Sequence, residues 1–205
     1  MTPDSPHATG GPGLFKEASL PLSVSIVILV GVLLVLLGLL LFPVSLGLIP
    51  FSPDGQLGLL LVIMAIQMLA LGETPMGQYR RSWLLMAMGI VFAAMGTISC
   101  IVPGLLTGVI RILLGLLNFI GGAAPLAKRF LPMLHDLRHP PAKPVALPPL
   151  LKRLLVTQTV LNIVSIAFGI TMLVPGLAPG LIIAGIVVIN GLLLFVLVSI
   201  LLKIG

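Results

Sequence analysis

Charge is what this chain has least of. Only 8% of its 205 residues are Asp, Glu, Lys or Arg, whereas a soluble domain carries roughly a quarter. There is too little polar surface to coat a globule in water. Acids are scarcest, five Asp and Glu against eleven Lys and Arg, and Cys100 is the lone cysteine. One cysteine excludes an intrachain disulfide and a thiolate metal site within one chain. The charge deficit excludes a cytosolic enzyme, a nucleic-acid-binding domain and a disulfide-stapled secreted module. A net charge of +6 does not restore nucleic acid as a partner, because the basic residues fall between apolar runs, where they set membrane orientation. No phosphate-binding loop, zinc-protease motif, haem-attachment motif, dinucleotide fingerprint or nucleophile elbow occurs, so no catalytic, cofactor-binding or metal residues are expected.

What is present is apolar: 59% of residues are hydrophobic and the mean hydropathy is +1.28. About 20 apolar residues in a helix cross a hydrocarbon core about 30 Å thick. Six segments qualify, at 21–42, 55–72, 82–102, 104–126, 154–174 and 177–202. The expected fold is therefore an all-α polytopic membrane bundle of six transmembrane helices. Residues 1–20 are rich in Pro and Gly and read as a disordered cytoplasmic lead. The run from Pro21 to Phe42 is longer than a signal-peptide core and lacks a small-residue cleavage site, so it reads as an uncleaved span.

The basic residues orient the bundle. Lys16, Arg80, Arg81, Lys128, Arg129, Arg138, Lys143, Lys152, Arg153 and Lys203 all belong to one set of connections and termini, and none lies in the first, third or fifth connection. The positive-inside rule puts both termini in the cytoplasm, with the chain in the inner (plasma) membrane. The linker at 128–153, carrying Lys128, Arg129, Arg138, Lys143, Lys152 and Arg153, suits a solvated segment lying on anionic headgroups. His135 and His139 stand four apart within it, but Pro140-Pro141 would fray a helix there, so they read as linker rather than metal ligands.

The opposite connections are tight and repeated. Val102-Pro103-Gly104 and Val174-Pro175-Gly176 each place a helix-ending proline before a glycine that accepts a reversal. Aligning Pro103 on Pro175 also matches Gly108 with Gly180 and Asn118 with Asn190. Gly31/Gly38, Gly89/Gly96 and Asn162/Gly169 repeat at a spacing of seven in the odd-numbered spans. Three tandem hairpins are expected, held by small residues that let helix backbones approach, with Gly104/Gly108, Gly176/Gly180 and Gly89/Ala93 as further small pairs. Parallel repetition argues against an alternating-access transporter, whose commoner signature is inverted repeats.

Trp83-Leu84-Leu85, Gly89-Ile90, Gly96 and Pro103, returning through Gly115 and echoed at Gly169, Pro175, Gly180 and Gly191, resemble the repeating hairpin of the HdeD-type acid-resistance membrane proteins. The resemblance covers 82–120 and 156–195 well and the first span loosely. The longer first connection and the basic, Pro-rich linker depart from it. It implies six-span inner-membrane proteins linked to acid or envelope stress, with no catalytic residues to carry over. An accessory subunit packing on a larger membrane complex, a homo-oligomer, and a small transporter or channel are the alternatives.

Few residues within the spans carry chemistry. Arg111 lies seven residues beyond Gly104, and a charge within a span is a functional candidate by default. It reads as a structural anchor or ion pair, a contact for a partner subunit or anionic lipid, or part of a substrate or proton path, with Asp54 as its candidate ion-pair partner. Asn118, Asn162 and Asn190 are expected at comparable depths, faced by Gln67, either as interhelical glue or as a polar pocket.

Overall fold

The computed structural model describes residues 22–71, 73–74, 77–78, 83–136 and 148–204. The expected lead at 1–20 lies outside the described residues, as do Arg80, Arg81, Arg138, His139 and Lys143. Six helices follow in order: α1 (Leu22–Ser45), α2 (Pro53–Leu71), α3 (Trp83–Ile101), α4 (Thr107–Asp136), α5 (Pro149–Leu173) and α6 (Gly180–Ile204). Between α2 and α3 a minimal antiparallel ladder pairs β1 (Glu73–Thr74) with β2 (Gly77–Gln78).

Apolar side chains cover the bundle on its outside. Large aliphatic and aromatic residues are exposed along α1, α3, α4, α5 and α6, among them Leu36, Ile90, Ile112, Ile163 and Leu192, whereas α2 exposes none among its described side chains. Ser99, Thr157 and Thr171 are the buried polar side chains among the described residues. A helix apolar all round belongs in lipid or in the core of a larger body. Four stretches are long and apolar enough to cross a membrane: Val24–Ser45, Thr107–Leu131, Pro149–Leu173 and Gly180–Lys203. In α2 and α3 the apolar stretches are shorter, Asp54–Leu69 and Met86–Ile101.

The helices do not pack as three sequential hairpins. Their closest partnerships are α1 with α6, α2 with α3 and α4 with α5, whereas α3 and α4 barely touch although only a short turn separates them. In lipid, apolar side chains gain nothing by leaving solvent for a neighbouring helix, so partner choice follows backbone approach. Glycine pairs decide it. A Cβ on Gly58 would stand 2.6 Å from the Gly96 carbonyl oxygen, and one on Gly96 the same distance from that of Gly58. The α4–α5 crossing repeats the arrangement with Gly115 and Gly169, and the α1–α6 crossing with Gly31 and Gly191. Seven residues along, each crossing has a second small contact: Gly38 against Ala184, Gly89 against Ala65, and Gly122 against the backbone of Asn162. The seven-residue spacing of the sequence is therefore the register of three antiparallel crossings.

Contacts of α1 with α2, α2 with α4, and α5 with α6 close α1, α2, α4, α5 and α6 into a ring around Val30, Leu61, Met68, Ile110 and Leu114. Helix α3 lies outside, against α2.

Short connections gather at one end of the bundle, the loop end. Gly47, Gly104 and Gly176 there adopt φ of 73°, 88° and 81°, backbone that residues with a Cβ rarely enter. Gly47 terminates α1 in a Schellman turn, with the Leu48 amide donating to the Pro43 carbonyl at 2.9 Å. Helix α1 thus runs past Pro43. Helix α4 likewise continues through Gly121-Gly122 and Pro125 to Asp136 rather than ending near 126, and α5 starts at Pro149 rather than 154. Lys128, Arg129, Lys152 and Arg153 are consequently helical residues, so both ends of the expected linker at 128–153 belong to helices.

Candidate functional site

Polar side chains concentrate on one face of α4. Thr107, Arg111 and Asn118 stand at i, i+4 and i+11, which the 3.6-residue turn brings to the same side. Each is tied to a different neighbour. Thr107 donates through Oγ1 to the Asp54 carboxylate in the first turn of α2. Asp54 suits that position because a helix N-terminus favours negative charge. Ser52 caps the same terminus, its Oγ accepting from the Gly55 amide at 3.0 Å, with Pro53 as the first helical residue. Ser99 of α3 donates to the Asp54 backbone carbonyl at 3.1 Å. The start of α2 is thereby stitched to the end of α3 and the start of α4.

Arg111 lies four residues into α4, about 6 Å below the loop end at helical rise. It is half-buried. Its Nε donates at 2.9 Å to the carbonyl of Met172, in the last turn of α5. The last four carbonyls of a helix lack intrahelical donors and carry the negative end of its dipole. A guanidinium there satisfies an acceptor that lipid cannot. Arg111 is thus a tertiary C-cap of α5. The expected pairing with Asp54 gives way to Thr107 for the acid and Met172 for the base.

The asparagines do not form one cluster. Asn118 donates through Nδ2 to the Leu114 carbonyl at 2.8 Å, while Ser165 Oγ of α5 stands 3.0 Å from its backbone oxygen and 3.1 Å from its Oδ1. Asn162 belongs to the α4–α5 crossing, its carbonyl facing Gly122. Asn190 of α6 instead meets Asn118 and Gln67 of α2 around a partly open cavity within the ring, with about 50 Å³ of free space. Its remaining wall is apolar and includes Leu34, Met64 and Phe168.

At the opposite end, Arg129 donates through Nη1 to the Leu155 carbonyl at 2.8 Å and to Thr159 Oγ1 at 2.7 Å. It locks the far end of the α4–α5 pair. Lys128, Lys152, Arg153 and Lys203 are exposed. Pro103 and Pro175 sit in the exposed loop-end turns with Gly104 and Gly176. Among the described residues no three His, Cys, Asp or Glu side chains gather as metal ligands.

Sequence reasoning missed Thr107, Ser165 and the Met172 carbonyl. Thr107 was within reach, being one helical turn before Arg111. The carbonyl could be inferred only by knowing that α5 ends before Pro175 and that α4 lies against it.

Fold and composition together define an all-helical chain with four helices long and apolar enough to cross a membrane. No family model matches the chain, and neither a curated protein nor a solved structure is similar to it.

Proposed function

We propose that the chain is a non-catalytic, six-span protein of the inner (plasma) membrane, with both termini cytoplasmic, contributing to envelope or acid stress tolerance as the HdeD-type proteins it resembles do. The observation that carries the membrane disposition is a length match. Arg129 lies 22 residues beyond Thr107, Arg153 lies 20 before Leu173, and Lys203 lies 23 beyond Gly180. At 1.5 Å per residue these are about 33, 30 and 35 Å from the loop end, and the hydrocarbon core is about 30 Å thick. Charges on three separate helices thus share one level, a membrane thickness from the turns. Lys128, Arg129, Lys152 and Arg153 cluster at that level because the α4–α5 register brings residue 129 opposite 155. Anionic headgroups are the partner such a belt fits, at about 1 kcal/mol per cation near the surface.

The non-catalytic reading draws on the use of the polar groups: Arg111 caps a helix, Asp54 joins three helices and Asn118 bonds within the α4–α5 pair. Cysteine labelling in a Cys100→Ala background tests the topology. Leu105→Cys should react with impermeant reagent from outside intact cells, and Ala142→Cys only after permeabilisation. Labelling of Ala142→Cys from outside would overturn it.

A second reading, an accessory subunit of a larger membrane complex or a homo-oligomer, draws on α3. That helix packs chiefly on α2 and exposes Trp83, Leu84, Ile90, Val91, Ile98 and Ile101. Purification in mild detergent distinguishes the readings by whether a partner accompanies the chain in fixed ratio.

A further inference from the structure

The second helix of each loop-end pair, α2, α4 and α6, sends one carboxamide into the ring: Gln67, Asn118 and Asn190. Asn118 uses its amide within the α4–α5 pair. Gln67 and Asn190 make no side-chain hydrogen bond to another described residue, and no sealed polar side-chain atom lacks a partner among those residues. Their polar ends therefore open onto free space. Asn190 is 10 residues below the start of α6, about 15 Å from the loop end, near the middle of a hydrocarbon core.

We infer that this cavity is an internal binding site for neutral hydrogen-bonding guests and that water occupies it. Three features select that class. Neutral amides offer donors and acceptors without a charge to hold an ion. The free space of about 50 Å³ is several times the 10–15 Å³ that a first water requires, and at the roughly 30 Å³ each takes in the liquid it accommodates about two. A dry cavity would leave two amides without a partner among the described residues at mid-membrane depth, each costing several times a net hydrogen bond. Water bonds to both and bridges to Asn118, linking α2, α4 and α6 across the ring. The site does not depend on which side of the membrane either end faces.

Radiolytic hydroxyl-radical labelling reads internal water directly, because radicals generated on bound water oxidise the nearest susceptible side chain. Met64 is a built-in reporter: it lines the cavity and is 7% exposed, while Met68, one turn along α2, is 1% exposed and does not line it. In the intact protein in lipid nanodiscs, Met64 should be oxidised at least about threefold more than Met68. In a Gln67→Leu/Asn190→Leu variant that keeps its unfolding midpoint, Met64 labelling should fall to the Met68 level. Equal protection of the two methionines in the wild type would overturn the inference, as would undiminished Met64 labelling in the variant. If the double variant fails to fold, water cross-peaks to the Gln67 and Asn190 side-chain amides of the wild type decide the matter. Their presence supports a hydrated site and their absence overturns it.

Discussion

Two pairs of glycines, one within α4 and one at its start, have opposite surroundings. Gly115 and Gly122 press against α5, where an added Cβ on Gly115 would stand 2.7 Å from Leu173 Cγ and one on Gly122 would collide with the Asn162 carbonyl. Gly104 and Gly108, four residues apart and equally suggestive of a close helix contact, have nothing within 4 Å of the corresponding position. The first pair brings two helices together. The second serves a turn and a lipid-facing helix start. A small-xxx-small pattern in an apolar chain is thus an ambiguous mark, whereas the seven-residue spacing, repeated on every helix, identifies the packed faces.

That contrast can be broken by substitution. The largest effect is expected at Gly169, whose Cβ would meet the Phe119 amide nitrogen at 2.6 Å and the Gly115 carbonyl at 2.8 Å. These are backbone atoms that cannot swing aside. Gly169→Leu should separate α4 from α5 and destabilise the protein by about 3 kcal/mol or more, measured by unfolding in mixed micelles. Arg111→Met comes next. Its lost charge-assisted bond to α5, worth about 1.5–3 kcal/mol, is partly offset by removing a charge from the membrane, leaving a net loss of about 1 kcal/mol in the same assay. Gly104→Ala should cost about 1 kcal/mol through its φ of 88° alone, with the α4–α5 crossing intact. Gly108→Ala should lie within about 0.5 kcal/mol of wild type, since it meets no neighbour and α4 tolerates the methyl group. A loss at Gly108 as large as that at Gly169 would erase the distinction.

Much of this was legible in the sequence, and the failures have a common origin. The six apolar runs, the turns at Gly104 and Gly176 and the seven-residue repeat are local patterns, and hydropathy or spacing reveals them. Partner choice is not local. The short Val102-Pro103-Gly104 turn invites the inference that α3 and α4 pack together, but a tight reversal fixes only where two helices begin, and lipid supplies no force to close the angle between them. The glycines on their opposite faces draw each toward another partner. Arg111 shows the same limit. Its unusual depth was evident, but its acceptor is a backbone carbonyl, which no residue type announces. Gly47 carries no such sequence mark, because Pro43, unlike Pro103 and Pro175, does not end its helix. Asn118 and Asn190 share a register relative to their turns and do meet at the cavity, whereas Asn162 is taken up by a helix crossing.

The central claim is that α1/α6, α2/α3 and α4/α5 are the packed units and that sequential neighbours across the α3–α4 turn are not. Oxidative crosslinking of two double-cysteine variants, both carrying Cys100→Ala, tests it most directly. An added Cβ at Gly180 would stand 3.3 Å from Ser45 Cβ, close to the separation a disulfide spans, so Ser45→Cys/Gly180→Cys should crosslink within the monomer. Val91→Cys/Leu116→Cys, opposite each other in a sequential α3–α4 hairpin but both exposed here, should stay reduced under the same conditions. Efficient crosslinking of 91 to 116 with none between 45 and 180 would contradict the account.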